Sequence, residues 1–344
     1  MNKILLCIFG ILFAISKTTA QPNEQVVFQE KYAQPGVSLR GLCVVDERII
    51  WASGSQGTIL KSIDGGQTWL QVGIPGYEKL DFRDVHAFDS LRAVVINAGS
   101  PAYVFTTHNG GKNWLKVYEN NHETAFLDDL AFDGDRKGLI FGDPDSTGQF
   151  LALRTVDGGK SWETLPAFFP TPLEKEAGFA ASGSILHYQN GYIWLATGGG
   201  NVARVFYSTD EGQTWQIQTT PIRAGSEAQG IFSFCVVDAL RWVAVGGDYK
   251  EASSGQQTAI YSANQGQNWQ VAEVTPEGYR SGVAYARANT LVAVGTSGSS
   301  LSKDGGQTWQ TLNSLNLNVI RFAPNGYLGY AAGRDGQICQ IRWE

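Results

Sequence analysis

Short apolar runs separated by glycine-rich polar turns make up almost the whole chain. Residues 40–72, for example, contain "RGLCVVD", "RIIWASG", "TILKSIDGG" and "TWLQV" in that order. Short runs bounded by Gly, Ser, Asp or Asn are typical of strands joined by tight turns. No interval has the apolar spacing of an amphipathic helix. The pattern therefore predicts a four-stranded antiparallel meander.

An octapeptide, "SIDGGQTW" at residues 62–69, recurs five more times along the chain. The copies lie at residues 107–114, 155–162, 208–215, 262–269 and 302–309. Their final tryptophans are 45, 48, 53, 54 and 40 residues apart, and each interval has room for four short strands. A repeat of this length predicts an all-β fold in which each unit is one blade of a β-propeller.

The two ends of the chain add a seventh unit to the six that carry the octapeptide. Residues 318–344 supply three strands, and "QVVFQEKY" at residues 25–32 supplies a fourth. A blade built from both termini closes the ring and removes two open sheet edges. We therefore expect residues 21–344 to form a single seven-bladed β-propeller domain, closed by the N-terminal strand.

The octapeptide itself is interpreted as a structural turn. In the first copy, Ser62 and Asp64 are placed to bond turn N–H groups, Gly66 adopts a conformation that a β-carbon would oppose, and Trp69 wedges against the sheet. Six similar copies do not make one differentiated catalytic centre, and we assign no catalytic residue. The same structural role is expected for Asn109, Trp114, Asp157, Trp162, Asp210, Trp215, Asn264, Trp269, Asp304 and Trp309.

The pattern S/T-x-D-x-G-x-x-W resembles the Asp-box, or bacterial neuraminidase repeat, with Asn109 and Asn264 in place of the usual Asp. That repeat is shared by sialidases, sortilin-type receptors and photosystem II stability/assembly factor-like proteins. One ring with a box in almost every blade is most similar to the assembly factor-like group. The resemblance implies a non-catalytic protein-binding scaffold. A glycan-active hydrolase is the alternative hypothesis, and a small-molecule or redox enzyme is the third.

The first twenty residues have the features of a secretory signal peptide. Lys3 precedes an apolar run from Ile4 to Ile15, and small residues lead to Ala20. Loss of Lys3 and Lys17 takes the formal net charge from −6 to −8, which argues against a nucleic-acid partner. We expect an exported monomer, periplasmic or secreted, with no integral membrane segment in the mature chain.

Two motifs and the four histidines contain residue types with possible chemistry. "GGGNVA" at residues 198–203 fits a dinucleotide fingerprint, but a strand rather than the required helix follows it, so no cofactor is expected. "GDPDSTGQ" at residues 142–149 would offer Asp143 and Asp145 to Ca²⁺, and we interpret it as a solvated turn. No metal site is expected, since the four histidines show no metal-binding spacing.

Long loops point to one face of the ring as the functional surface. They are residues 166–183, 220–230 and 246–257, and all connect strands on the face opposite the octapeptide turns. We expect a protein partner there, with a glycan as the alternative. The polar candidates on this face are Arg40, Arg83, Asp84, Asp128, Glu176, Arg204, Glu227, Asp248, Tyr249 and Arg280.

Within this set, Arg40, Arg83, Asp128 and Arg280 begin inner strands and are expected to ring the mouth of the central channel. A second interpretation is that these charges only neutralise one another around a water-filled channel. For the glycan-active alternative, Glu176 and Asp248 would act as acid and base if their carboxyl groups stood about 5 to 9.5 Å apart.

Overall fold

Seven antiparallel sheets of four strands each account for nearly all regular structure in the computed structural model of this chain, which describes residues 25–344. The prediction of an all-β, seven-bladed propeller is confirmed. A 3₁₀ turn, Tyr249–Glu251, is the one helical element within the described range. The signal peptide predicted at residues 1–20 lies outside that range.

Each blade runs from an inner strand at the channel to an outer strand at the rim. The closing strand and blades 1 to 3 are β1 (Val26–Tyr32); β2 (Leu39–Val44), β3 (Ile50–Gly54), β4 (Ile59–Ser62), β5 (Leu70–Gln71); β6 (Asp81–Ala87), β7 (Ala93–Ala98), β8 (Ala102–Thr107), β9 (Leu115–Asn120); β10 (Leu127–Asp133), β11 (Lys137–Pro144), β12 (Phe150–Thr155) and β13 (Glu163–Thr164). Blades 4 to 7 are β14 (Leu186–Gln189), β15 (Tyr192–Ala196), β16 (Ala203–Ser208), β17 (Gln216–Thr220); β18 (Gln229–Val236), β19 (Trp242–Asp248), β20 (Ala259–Ser262), β21 (Gln270–Val271); β22 (Gly282–Arg287), β23 (Thr290–Gly295), β24 (Gly298–Ser302), β25 (Gln310–Asn313); β26 (Leu317–Phe322), β27 (Gly329–Gly333) and β28 (Ile338–Trp343).

Strand β1 closes the ring as the outer strand of blade 7. It pairs antiparallel with β28 from Val26 opposite Trp343 to Tyr32 opposite Ile338, with a shift in register between Glu30 and Tyr32. The sheet order is β1-β28-β27-β26, so one blade contains both ends of the described chain. The shared blade predicted from the sequence is thus present.

Apolar side chains fill the interfaces between neighbouring blades. Between blades 1 and 2, for instance, Trp51 and Ile59 pack with Phe82 and Phe105, all of them buried. Similar clusters lie between the other blades. The hydrophobic faces of each sheet are therefore buried against the next sheet, which is the main stabilising contribution in this fold.

A second ring of contacts links the inner strands by polar groups. At every blade junction, a side chain of one inner strand or of the residues just before it bonds the next blade. The contacts are Cys43 with Ala87, Asp84 with Leu130, Asp129 with Ile185 and Leu186, Ser184 with Ser233, Ser233 with Val283, Ser281 with Asn318, and Asn318 with Leu39.

The octapeptide turns share one hydrogen-bond pattern in all six copies. In the first, the N–H of Gly66 donates to Ser62 Oγ at 2.9 Å and the N–H of Thr68 donates to Asp64 Oδ1 at 2.9 Å. The hydroxyl of Thr68 also donates to Asp64 Oδ2, and this bond, together with the backbone N–H of Thr68 and the hydroxyl of Ser62, lowers the pKa of that carboxyl to about 2. Both strands of the hairpin are held by these bonds.

The copies with Asn in place of Asp also change the partner side chain. Copies with Asp carry Thr or Ser at the seventh position, whose hydroxyl donates to the second carboxylate oxygen. Asn109 and Asn264 offer one acceptor oxygen, and the seventh position there is Asn113 and Asn268. The turn residues therefore vary as matched pairs.

Candidate functional site

Chain direction places two classes of loop on one face, here called the upper face. Inner strands begin there, and the connections between second and third strands and from each blade to the next lie there. The octapeptide turns join third and fourth strands on the opposite, lower face. All three long loops identified in the sequence reach the upper face.

A short stretch of the long loop in blade 4 crosses the central channel. This crossing segment, residues 178–183, reads "GFAASG". Arg83 of blade 2 donates to the carbonyl of Ala180 at 3.4 Å, and Arg321 of blade 7 donates to the carbonyls of Ser182, at 2.8 Å, and Gly183. The segment separates an upper cavity from a lower one of about 780 Å³.

Two glycines allow the crossing segment to approach the channel wall. A β-carbon on Gly178 would lie 2.7 Å from Cγ of Asp128, and one on Gly183 would lie 2.2 Å from Oδ1 of Asp84. Gly183 also has a positive φ of 53°, a conformation that side chains oppose. Small residues are therefore required for the segment to pass between the inner strands.

The upper cavity, here called the upper mouth, has a volume of about 380 Å³ and contains four of the predicted residues: Arg40, Arg83, Asp128 and Tyr249. It adjoins a larger groove of about 620 Å³ between the loops of blades 2, 3 and 4, with which it shares Phe126 and Asp143. The rest of its lining is Gly178, Phe179, Ala180, Ala181, Phe232, Tyr279, Thr296 and Asn318.

Arg40 is the half-buried cation of the upper mouth. Among residues 25–344, no hydrogen bond or ion pair reaches its guanidinium group, and burial together with the charge of Arg83 lowers its pKa. Arg83 is partly engaged, since its Nε donates to Asp81 Oδ2 at 2.8 Å. A desolvated guanidinium without an acceptor binds carboxylate or phosphate groups readily. Arg40 is thus a cation with no acceptor of its own among the described residues.

Asp128 and Asp143 form a carboxyl pair on the other side of Arg83. Asp128 is 1% exposed, and neither of its oxygens accepts a hydrogen bond from the described residues. Asp143 is its nearest acidic neighbour and accepts the N–H of Gly178 at 2.9 Å. Burial raises the pKa of both groups, and the charge of Asp143 raises that of Asp128 further. The protonated form of the pair is therefore favoured.

Glu176 and Arg204 form a buried ion pair beside the mouth rather than a free acid. The Glu176 side chain has no exposed surface. It accepts Thr197 Oγ1 at 2.5 Å, the N–H of Leu173 at 2.8 Å and Arg204 Nε at 2.8 Å, and it also contacts Arg204 Nη2. Every lone pair that could take a substrate proton is engaged. The pair instead anchors the long loop that continues into the crossing segment.

The remaining loop candidates differ in whether their side chains are already engaged by other residues. Asp248 accepts Gln229 Nε2 and the N–H of Lys250, each at 2.8 Å, and caps the 3₁₀ turn. Glu227 makes an exposed contact with Lys175 at 3.2 Å. Tyr249 is 48% exposed at the edge of the mouth. Of these residues, Tyr249 is placed to contact a ligand.

Two predicted residues lie away from the upper mouth. Asp84 is buried below the crossing segment, where it accepts the N–H groups of Val85 and Leu130 and joins blades 2 and 3. Arg280 is 1% exposed and donates to Ser297, Ser300 and the carbonyl of Tyr279. Arg280 therefore lies inside blade 6 and not, as expected, at the mouth of the channel.

Several residues of the site were missed by sequence reasoning. Asp143 was interpreted as part of a solvated turn, but it belongs to the buried carboxyl pair. The stacked rings of Phe179 and Phe232, with centroids 3.7 Å apart, and the adjacent Tyr279 form an aromatic wall. The small residues of "GFAASG", directly before a short inner strand, were the available signal.

The described residues contain neither a cluster suited to a metal ion nor a helix that could cross a membrane. Over residues 25–344, no cluster of three or more His, Cys, Asp or Glu side chains has the arrangement of a metal site. Within the same range, no helix has the length and apolarity needed to cross a membrane. The glycine-rich "GGGNVA" is followed by strand β16, as predicted.

Comparisons with known proteins place the chain among β-propellers. The profile of the DUF6242 beta propeller domain matches residues 18–239. The Photosystem II assembly lipoprotein Ycf48 of Trichormus variabilis is 25% identical over 173 residues, which is 46% of this chain and 42% of that protein. Vacuolar protein sorting/targeting protein 10 of Pyricularia oryzae is 34% identical over 120 residues, 32% of this chain and 8% of that protein. The chain thus spans less than half the length of both relatives.

Solved structures share the whole ring at low sequence identity. YCF48 bound to D1 peptide has a TM-score of 0.65 and 18% identity, with 94% of this chain and 96% of that chain covered. YCF48 from Cyanidioschyzon merolae has a TM-score of 0.66 and 19% identity, with 92% and 98% covered. These similarities concern the fold.

Proposed function

The chain belongs to the DUF6242 β-propeller family, and from that premise we propose that it is a non-catalytic assembly factor that binds a protein partner at its upper mouth. The observation that carries this proposal is Arg40, a half-buried guanidinium with no acceptor among the described residues. The exposed ring of Tyr249 extends the binding surface, and so does the adjoining groove, which shares Phe126 with the upper mouth.

Relatives support a role in assembly. One relative is named as an assembly lipoprotein, and a structural neighbour was solved with a peptide bound. Aromatic and arginine side chains around a concave surface are the usual anchors of protein recognition. We propose that an acidic side chain or chain terminus of the partner pairs with Arg40, while adjacent residues of the partner lie in the groove.

Export is part of the same proposal. Residues 1–20 would direct the chain out of the cytoplasm, and the mature protein would act in the periplasm or outside the cell. N-terminal sequencing of the protein recovered from its own cells tests this step. A mature N-terminus near residue 21 supports export, and an intact Met1 contradicts it.

The glycan-active alternative has no structural observation in its favour. It required Glu176 as an acid or base, and that carboxylate is occupied by four donors in a buried ion pair. Asp248 is likewise held by Gln229 and by the backbone of its own turn. We therefore propose binding rather than hydrolysis.

Charge reversal at Arg40 tests the proposed function. Arg40→Glu breaks no internal bond, so the fold should be retained, while capture of the partner from the protein's own cells should fall by roughly 30-fold or more. Arg48→Glu is the matched control, because Arg48 is exposed on a lower-face turn and the net charge changes equally. Equal capture by both variants would contradict the proposal.

A further inference from the structure

The upper mouth contains two groups of opposite charge that are not paired with each other. Arg40 extends from blade 1, and Asp128 extends from blade 3, with Arg83 of blade 2 between them. No contact within 4 Å joins Arg40 to an acid, and neither oxygen of Asp128 has a donor, among residues 25–344. Each group therefore lacks a partner of complementary chemistry.

The charges around Asp128 act on its ionisation in both directions. Asp143 and Asp129 on blade 3 disfavour ionisation of Asp128, and Arg83 favours it. Arg83 is itself paired with Asp81. Asp129 accepts two backbone N–H groups of blade 4. The charge of Asp84 raises the pKa of Asp129, and the charge of Arg321 lowers it. Only an added donor can satisfy both Asp128 oxygens.

Aromatic rings provide the apolar part of the same cavity. Phe179 stacks on Phe232, and Tyr279 and Tyr249 meet Phe232 edge-on with centroids 4.8 and 6.1 Å away. Such rings accept the methylene groups of a side chain and also favour a nearby ammonium group. A volume of about 380 Å³ is sufficient for one or two side chains.

We infer that the ligand of the upper mouth carries an ammonium and a carboxylate close together, the ammonium binding the Asp128–Asp143 pair and the carboxylate binding Arg40. This inference rests on the proposed function and specifies its partner chemistry, namely adjacent basic and acidic side chains of the partner protein. A free amino acid, whose zwitterion has the same two charges, is the alternative that the test separates. A ligand with only one charge would leave either Arg40 or Asp128 without its partner.

Binding of the ammonium favours the ionised form of the carboxyl pair. A proton held by Asp128 in the free protein leaves to solvent, and the ammonium donates hydrogen bonds to the ionised carboxylates. Because burial and Asp143 raise the pKa of Asp128, ligand affinity should fall as pH is lowered. Stability has the opposite sign: the protonated form favours folding, and its contribution is lost as pH rises through the raised pKa.

Titration calorimetry with short blocked peptides tests the inference. The probe is acetyl-Lys-Glu-amide, and acetyl-Gln-Glu-amide and acetyl-Lys-Gln-amide are its singly charged controls. We expect the doubly charged probe to bind about tenfold or more tightly than either control. Measurements in two buffers of different ionisation enthalpy should show release of about one proton on binding. L-glutamine serves as the free amino acid.

Asp128→Asn should remove both the tenfold advantage and the proton release. Asp46→Asn, on a lower-face turn, should change neither. The Asp128 variant removes an unpaired buried carboxyl, so at pH 7 it should melt no lower than the wild type, which separates loss of binding from loss of fold. Tighter binding of L-glutamine than of the peptide would support the zwitterion chemistry and assign a free amino acid.

Two results would overturn the inference. These are equal affinity for acetyl-Gln-Glu-amide, and binding without proton release. If either occurs while partner capture still depends on Arg40, the proposed function stands and the ammonium site does not. If the doubly charged probe binds as expected while capture of the partner does not depend on Arg40, the protein-binding proposal fails instead.

Discussion

A chain that begins at residue 33 is expected to aggregate, or to lose most of its stability, because it lacks strand β1. The deletion removes six cross-strand pairs with β28 and the apolar side chains of Val26, Phe28 and Tyr32, which pack on two core clusters. Full burial of such a side chain contributes about 1.5 to 3 kcal/mol. The loss is on the order of 5 kcal/mol, a large part of the usual margin of 5 to 15 kcal/mol.

Two controls show whether the effect of the deletion comes from the loss of strand β1. A chain that begins at residue 25 retains the ladder and should melt like the chain that begins at residue 21. A synthetic peptide of residues 25–32, added to the deleted chain, should restore solubility by pairing with the exposed edge of β28. Light scattering and thermal melts report both effects. An unchanged melting temperature after deletion would contradict closure of the ring by β1.

Glu176→Gln is expected to destabilise the fold by about 3 to 5 kcal/mol, because it leaves the buried guanidinium of Arg204 without its counter-charge. Arg204 also donates to the carbonyl of Thr171 at 3.0 Å and lies over the ring of Phe206 at 4.7 Å. It therefore cannot turn to solvent without breaking these contacts. Urea unfolding of the two proteins measures the difference.

The double variant Glu176→Gln/Arg204→Met provides the control for this prediction. Replacing both charges removes the unpaired cation, and much of the lost stability should return. Asp248→Asn, whose carboxyl makes no fully buried ion pair, should cost clearly less. A Glu176→Gln protein within about 1 kcal/mol of the wild type would contradict the structural role of this pair.

The repeating part of the fold could be predicted because each turn depends on residues within one octapeptide. Ser62, Asp64 and Gly66 bond one another over a few positions, so the pattern is visible locally. The closing strand was also predictable, since a three-stranded blade at one end leaves an edge that a strand at the other end can cover. Both inferences required only local pattern and the avoidance of open edges.

The candidate site was predictable only in part, because it depends on where side chains point. Arg40 and Arg280 both lie at the beginning of an inner strand, yet Arg40 faces the mouth and Arg280 is enclosed by serines of its own blade. The crossing segment has no strand periodicity, and its position depends on contacts with blades 2 and 7. The small residues of the segment are a local signal of close packing, but they do not indicate which distant residues it contacts.

Site-specific photo-crosslinking measures directly where on the ring the partner binds. A photoreactive amino acid is placed at Tyr249, which is 48% exposed at the upper mouth, or at Tyr327, which is 59% exposed on a lower-face turn. Both proteins are irradiated in the cells that make the partner. We expect a covalent adduct from position 249 and none from position 327. An adduct from position 327, with none from position 249, would contradict binding at the upper mouth.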